Sequence, residues 1–447
     1  MFLKNSASSI VKLRVKKPKS SIHLLSYLLR NQSKEDIYLK RNPITITAVL
    51  AGLVLLISAC GKDSPPSSTS IEPGSRLVAD TIAITDIDIR EVGGYTGNLS
   101  NVSFGAYDDQ AFGEIEASAL WKPIFITVDR VDTLTNNEQF YLSFSISSQY
   151  GDTAGTGEFE IYEIAQYWRA TSWRPDSVLV TEQNPITSFT ISQQDSIAVP
   201  LPSAWSDKYV EYYRNRFDST LTNSIDTLYR DNFHGLAIRP ANNQLQKVVA
   251  ANTSSMKMLI SNQDTTYEVA TQKTATKFAR NAEPTYSDEG KVALHGTYER
   301  MLGFDFGLTT EDFLVINGRE IPSKSIARFE VVFHRDTETL DATLPQNHRR
   351  PGNSRYNIFS TDPNTLFYAI VGSPLYAASY DEGKGTYRLN LTNLANSIIL
   401  GGEQTEERYY AVPVSGDGII RSDLTYLPDH PEKFPKIIVT YAVSDEN

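Results

Sequence analysis

Residues 81–90 read Thr81-Ile82-Ala83-Ile84-Thr85-Asp86-Ile87-Asp88-Ile89-Arg90, and this stretch decides the fold class. Apolar and polar side chains alternate along it, so an extended backbone would have one apolar face. A period of two residues is typical of a half-buried β-strand, whereas an amphipathic helix repeats roughly every 3.6 residues. The pair Gly93-Gly94 then indicates a turn. The stretch therefore predicts a strand and not a helix.

Similar strand patterns recur along most of the chain, separated by Gly, Asn, Asp and Pro. The main ones are 102–113 with its Asp/Gly loop, 120–128, 139–146, 157–164, 233–239, 246–250, 255–261, 298–306, 325–333 and 434–443. The best helix candidate is 203–217, where Trp205, Tyr209, Tyr213 and Phe217 recur every fourth residue. We predict an all-β protein of two tandem, jelly-roll-like β-sandwich domains with one short helix.

The length of the chain predicts more than one domain, because a single core stops growing at roughly 250–300 residues. The polar, weakly patterned segment 271–290 is the expected linker between a first sandwich at 79–270 and a second at 291–447. Each half ends in an apolar strand, 255–261 and 434–443. This similarity suggests an internal duplication of a sandwich.

The single cysteine predicts where the protein works. Cys60 closes the apolar run 44–60, which follows the basic pair Lys40-Arg41. The segment Ile57-Ser58-Ala59-Cys60 resembles the lipobox of bacterial lipoproteins, and this implies cleavage before Cys60 and lipidation of its sulfur. The alternative is a short transmembrane helix, although the apolar run is shorter than the ~20 residues that a span needs. We therefore expect a signal peptide at 1–59 and a lipid-anchored flexible linker at 60–78.

This organisation implies a cell-envelope protein, an outer-membrane lipoprotein on the surface or periplasmic side. Residues 1–38 are basic and Ser-rich and make the segment before the apolar run unusually long for a signal peptide. One hypothesis is a mis-assigned start, with translation beginning at Leu39. The signal would then have an ordinary length.

The charge balance excludes some classes of partner and chemistry. Residues 1–60 carry 10 basic and 2 acidic residues, which leaves 32 basic and 51 acidic residues, a net charge of −19, in the rest. A protein with this much negative charge repels nucleic acid. We therefore expect no nucleic-acid partner. If Cys60 is lipidated, no thiol remains for a disulfide or a thiolate metal site.

An aromatic segment is the most attractive candidate for binding. Tyr167, Trp168 and Trp173 lie in the loop-like stretch 167–175. If exposed, such rings stack on sugars and bury large areas at little entropic cost. The alternative is that they pack against the edge of the sandwich.

Acidic residues offer a second candidate. Asp108, Asp109, Glu114 and Glu116 cluster in sequence, and a glycosidase needs a pair of carboxylates. They could equally lie in a solvated turn, or Asp108, Asp109 and Asp152 could hold a structural calcium ion. The six histidines are scattered, and no nucleophile elbow or phosphate loop is present. We predict no catalytic residue, no enzyme activity and no cofactor beyond that calcium ion.

Two families resemble parts of the chain. Residues 104–113 resemble the "G-x-Y-x-D-x-x-F-G" segment of the lipoproteins grouped as domain of unknown function 4270, found in Bacteroidota-type bacteria. Residues 150–164 and 233–238 are similar to its later segments. The stretches 302–305, 326–329 and 437–441 resemble DNRLRE-type jelly-roll modules, which are similar to carbohydrate-binding sandwiches. Neither resemblance transfers a catalytic residue.

These observations predict a lipid-anchored, non-catalytic binding module, with polysaccharide as the expected ligand. One alternative is a structural or assembly subunit of an outer-membrane protein complex, so the expected partners are the membrane and either a glycan or an envelope protein. A second alternative is a hydrolase without a recognisable motif.

Overall fold

The computed structural model describes residues 75–91, 94–125, 134, 138–218, 220–241, 244–262, 265–280, 290–295, 300–306, 308–310, 314–322, 326–362, 374–400, 408–413 and 417–444. Strands dominate these ranges, with few helices. Residues 1–74, including Cys60, the signal peptide and most of the predicted tether, lie outside them. Among the described residues no helix has both the length and the apolar character needed to cross a membrane.

The described residues of the first half of the chain form twelve strands. They are β1 (Ser75–Ala83), β2 (Ile87–Glu91), β3 (Asn101–Asp109), β4 (Gly113–Pro123), β5 (Gln139–Asp152), β6 (Gly157–Glu163), β7 (Thr187–Ile191), β8 (Ser196–Leu201), β9 (Leu236–Pro240), β10 (Gln246–Asn252), β11 (Lys257–Ser261) and β12 (Thr266–Arg280).

The described residues of the second half add thirteen strands. They are β13 (Lys291–His295), β14 (Arg300–Phe304), β15 (Leu308–Thr310), β16 (Leu314–Ile316), β17 (Arg319–Ile321), β18 (Ile326–His334), β19 (His348–Arg349), β20 (Arg355–Phe359), β21 (Tyr376–Asp381), β22 (Thr386–Asn390), β23 (Tyr409–Pro413), β24 (Ser422–Tyr426) and β25 (Lys436–Ser444). The helices are α1 (Ser203–Arg214), α2 (Ile225–Asn232), α3 (Thr337–Ala342) and α4 (Thr392–Ile399).

The first large sheet folds over itself because two long strands change partners along their length. The first part of β5 pairs with β8 and β11, and its second part pairs with β10. In the same way β12 pairs first with β11 and then with β4, after a register shift between Thr271 and Lys273. Strands that switch layers at such irregularities make the corners of a sandwich. The enclosed core includes Phe104, Trp121 and Phe144.

The second large sheet has nine strands in the order β1-β25-β18-β22-β21-β20-β23-β14-β2. Its core contains Phe304, Phe333 and Tyr387, each fully buried. The described pairings are antiparallel, which fits the alternation of apolar and polar residues in the sequence. The prediction of an all-β sandwich architecture is confirmed.

Several predicted boundaries need correction at the level of single strands. β1 and β2 belong to the sheet of the second half, where β1 pairs with β25 and β2 with β14. β1 starts at Ser75, inside the expected tether, and β12 continues to Arg280, inside the expected linker. The remainder of that linker up to 289 lies outside the described residues. The residues from 70 to 447 group as one compact unit, and the separation into two domains stays a prediction.

The predicted helix at 203–217 is present as α1 followed by a 3₁₀ turn at Asn215–Phe217. Trp205, Tyr209 and Tyr213 are buried along one stripe, as their spacing predicts. Phe217 is exposed, because a 3₁₀ turn has three residues per turn and rotates the fourth aromatic residue off that stripe. The helices α2, α3 and α4 are missing from the sequence prediction, which expected one helix.

Candidate functional site

The candidate site is built on the segment that follows β6. This segment contains a 3₁₀ turn at Ala170–Ser172 and carries all three of the predicted aromatic residues. Tyr167 is 44% exposed, whereas Trp168 and Trp173 are 3% and 5% exposed. The three rings therefore have different roles, and Tyr167 is the ring of the three that faces solvent.

The two indole rings are buried, so for them the alternative of packing against the sandwich applies and not sugar stacking. Trp168 and Trp173 contact each other edge to face, with ring centroids 5.9 Å apart. They form a small core with Leu120, Ala237 and Ala275 of β4, β9 and β12. The short side chains of Ala237 and Ala275 leave space above the sheet, and the indole rings fill it. Trp168 also donates a hydrogen bond from Nε1 to the carbonyl of His234 at 2.9 Å.

A pocket of about 460 Å³ opens beside Tyr167. It is lined by Tyr167 and Arg169 from this segment, and by Arg230 and Asp231 from the last turn of α2. Its volume lies within the range of roughly 300–1,000 Å³ that is usual for ligand sites. Arg230 and Asp231 form a two-point ion pair, Nε to Oδ1 at 2.7 Å and Nη2 to Oδ2 at 3.1 Å.

Two lysines lie behind the pocket. Lys273 donates a hydrogen bond to the carbonyl of Trp168, and its Nζ is 4.9 Å from the centroid of the Tyr167 ring. Lys122 is buried and donates to the carbonyls of Tyr229 and Arg230, at 3.0 and 3.3 Å. These are carbonyls from the end of α2, where a helix lacks internal donors and favours a cation. Lys122 therefore caps the C-terminal end of α2, the helix that contributes Arg230 and Asp231 to the pocket.

Burial lowers the pKa values of both lysines and of a nearby histidine, and the charge of a neighbouring lysine adds to this effect for Lys122 and His234. Burial, reinforced by the charge of Lys273, lowers the pKa of Lys122 to about 7. Burial lowers the pKa of Lys273 to about 8. The pKa of His234 is lowered by burial and by both lysines. The region behind the pocket thus disfavours the charged forms of the two lysines and of His234.

The predicted calcium site does not form as expected. Asp109 is buried, and its Oδ1 accepts hydrogen bonds from the backbone amides of Ala111 and Phe112 at 2.8 and 3.2 Å. Its remaining capacity is taken by Arg350 and by the hydroxyl of Tyr150. A carboxylate with these partners is not available to a cation.

The other two predicted calcium ligands are engaged in different ways. Asp152 accepts from the amides of Ala154 and Gly155, which is a local turn. Asp108 is exposed opposite Glu114 in the β3–β4 pair. Within the described ranges no group of three or more His, Cys, Asp or Glu side chains is arranged to hold a metal ion.

The carboxylates weighed for glycosidase chemistry lie on the same hairpin. Asp109 is neutralised by Arg350, while Glu114 and Glu116 are half-buried on β4. A second buried acid, Asp423, pairs with Arg335 at 2.5 Å and accepts from the hydroxyl of Tyr387 at 2.6 Å. Burial raises the pKa of Asp423 against the opposing effect of Arg335. The ion pairs Asp109–Arg350 and Asp423–Arg335 are both enclosed, and each joins strands or loops of the fold.

The site residues Arg169, Lys122, Arg230, Asp231 and Lys273 were not among the predicted ones. Lys122 and Lys273 sit in strands at positions where alternation gives no hint of a charged site. They come together because β12 pairs with β4, opposing Lys273 to Lys122 directly. A cation at an otherwise apolar strand position, Trp121-Lys122-Pro123, is the one signal that the sequence contained.

Comparisons with known proteins assign neither a family nor a function to the chain. No family model and no curated protein matches the chain. Among solved structures, a structure of deformed wing virus carrying the GFP gene matches at 12% identity and a TM-score of 0.11, covering 98% of this chain and 100% of that one. The Macrobrachium rosenbergii nodavirus matches at 9% identity and a TM-score of 0.14, covering 94% and 99%. Likenesses this weak carry no argument about the protein.

Proposed function

We propose that the protein is a lipid-anchored, non-catalytic binding protein of the cell envelope that binds polysaccharide. The observation that carries this proposal is the pocket beside Tyr167, where an exposed aromatic ring adjoins Arg169, Arg230 and Asp231. Aromatic rings stack on the apolar faces of sugars, and charged and amide groups pair with their hydroxyls. The lipid anchor at Cys60 rests on the sequence, since that residue lies outside the described ranges.

The buried Trp168 and Trp173 support this site indirectly. They anchor the segment that follows Tyr167 against the strands, so the exposed ring belongs to a packed segment and not to a loose loop. Preorganisation of this kind reduces the entropy lost on binding.

Binding to immobilised polysaccharides tests the proposal. The full chain in mild detergent is run through native gels that contain neutral or acidic polysaccharides, and retardation is compared with a gel without polymer. We expect retardation by at least one polymer and its reduction in the variant Tyr167→Ala. Unchanged migration in every gel would contradict the proposal.

One observation favours the alternative of a structural or assembly subunit. β1 and β2 are the terminal strands of the nine-stranded sheet, and they expose Leu77 and Ile89. A terminal strand offers backbone groups to which a partner can add a strand. This alternative predicts a stable envelope partner in detergent extracts that is lost in Leu77→Lys or Ile89→Lys.

The hydrolase alternative finds less support in the pocket. Asp231 supplies one carboxylate there and is paired with Arg230, whereas glycoside hydrolysis uses two carboxyl groups. A sensitive assay with chromogenic glycosides would detect activity if it exists.

A further inference from the structure

The charges around the pocket are unequal. Arg169, Arg230, Lys122 and Lys273 are basic, and Asp231, the acidic residue of the lining, is already paired with Arg230. The guanidinium of Arg169 lies 5.9 Å from the centroid of the Tyr167 ring. No carboxylate is paired with Arg169 in the part of the chain that the structure describes. Arg169 is thus placed beside the stacking ring with its charge available.

We propose that the pocket selects acidic sugars, with the saccharide ring on Tyr167 and its carboxylate paired with Arg169. This inference rests on the proposed function, because it names the class of polysaccharide that the same site binds. An arginine pairs with a planar carboxylate through two parallel hydrogen bonds, which fixes orientation as well as charge. The aromatic ring of Tyr167 supplies an apolar face on which the sugar ring stacks, and a free small anion would not use that face.

The lysines behind the pocket add to this selectivity. Lys122 and Lys273 oppose each other across β4 and β12, where Lys122 is buried and Lys273 is half-buried. Their lowered pKa values reflect burial and, for Lys122, repulsion from Lys273. An incoming anion relieves this repulsion and favours the protonated amines, while a neutral sugar does not.

A matched pair of polymers tests the inference. Polygalacturonate and its fully methyl-esterified form have the same sugar rings, but only the first has free carboxylates. The full chain in mild detergent is titrated with each polymer by calorimetry at about 0.15 M salt, which screens the repulsion between a polyanion and this acidic protein beyond roughly 8 Å. We expect polygalacturonate to bind about tenfold more tightly, as one charge-assisted pair would give.

Variants of two arginines from the same segment provide the control. Arg169→Gln should weaken binding of polygalacturonate about tenfold and binding of the ester much less, which removes most of the preference for the acidic polymer. Arg174→Gln alters another exposed arginine, which pairs with Asp176 at 3.4 Å, and should leave the preference intact. Equal loss in both variants would overturn the role of Arg169.

The outcomes separate this inference from the proposed function. If both polymers bind equally, acid selection is wrong while polysaccharide binding stands. If neither these polymers nor any neutral polymer binds, the proposed function fails as well. Displacement of polygalacturonate by inorganic phosphate beyond the effect of sodium chloride at equal ionic strength would overturn the assignment of a sugar carboxylate.

Discussion

The guanidinium of Arg350 donates two hydrogen bonds to the carboxylate of Asp109, Nε to Oδ2 at 2.9 Å and Nη2 to Oδ1 at 2.7 Å. The two residues are 241 positions apart in the chain, and both side chains are almost fully buried. Arg350 also donates to the carbonyl of Leu340. Burial would lower the pKa of Arg350, but the hydrogen bonds and charge of Asp109 raise it. The pair therefore ties β3 to the segment after β19 as a charged, fully bonded unit.

Removal of one partner should strongly destabilise the protein. Arg350→Met leaves the carboxylate of Asp109 buried without its counter-charge, which costs about 3–5 kcal/mol in comparable pairs. Asp109→Asn should cost a similar amount, whereas the double variant should lose much less than the sum. Urea denaturation of the four proteins measures this coupling. Strictly additive losses would contradict it, and Arg174→Met, which removes an exposed arginine, should cost only about 0–1 kcal/mol.

The indole rings under the pocket should matter for stability. Replacement of Trp168 or Trp173 by Ala opens a cavity in a packed core and should cost about 3–5 kcal/mol. Trp168→Ala additionally leaves the carbonyl of His234 without its donor. Tyr167→Ala, at an exposed position, should change the free energy of unfolding by about 0.5 kcal/mol or less. Equal losses for the three variants would contradict the assigned burial.

Lys122 should make stability depend on pH. Its pKa is about 7 in the folded protein, against 10.5 in the unfolded chain, so the unfolded chain binds more protons between these values. Stability must then rise as the pH increases from about 7 towards 9, by up to roughly 1.4 kcal/mol per pH unit. The variant Lys122→Met should lose this contribution, and the difference between its curve and the wild-type curve should grow with pH. Parallel curves of unfolding free energy against pH for the two proteins would show that the pKa of Lys122 is not lowered in the folded protein.

Gly105 should be intolerant of a side chain. It has φ of +117°, and a Cβ atom there would lie 2.3 Å from the carbonyl oxygen of Lys247 in β10. Gly105→Ala therefore combines backbone strain with a steric clash and should cost well over the ~1–2 kcal/mol of strain alone. Gly318→Ala is the matched control, since its φ is +75° and nothing lies within 4 Å of the added atom. Thermal unfolding of both variants checks this difference.

The fold was more predictable from the sequence than the site. Alternation along 81–90 and the other strands predicts half-buried β-structure, because that pattern depends only on which face each side chain occupies. Strand pairing depends on distant partners, so the position of β1 beside β25 has no local signal. α2 starts at Ile225 and is capped by Ser224, whose hydroxyl accepts from the amide of Thr227. Ile225, Leu228 and Tyr229 recur at helical spacing, so the sequence contained a signal for this short helix that the prediction missed.

The site illustrates the same limit. The sequence indicated the segment that contains Tyr167, but it could not tell which of the three rings would be buried. That depends on Ala237 and Ala275, which leave space for the indoles and come from two separate strands. Lys122 and Lys273 are 151 positions apart and meet through the register of β4 and β12. The two lysines are brought together behind the pocket by the pairing register of β4 and β12, which no sequence motif indicates.

The most direct test of the account compares two exposed aromatic rings. Tyr167 and Phe217 are 44% and 72% exposed, and Tyr167 alone of the two lines the pocket. Calorimetric titration of the full chain with the polysaccharide that retards it most should give about tenfold weaker binding for Tyr167→Ala, the loss expected for one stacked ring. Phe217→Ala should bind as the wild type does. Equal affinities for all three proteins would contradict a polysaccharide site at Tyr167.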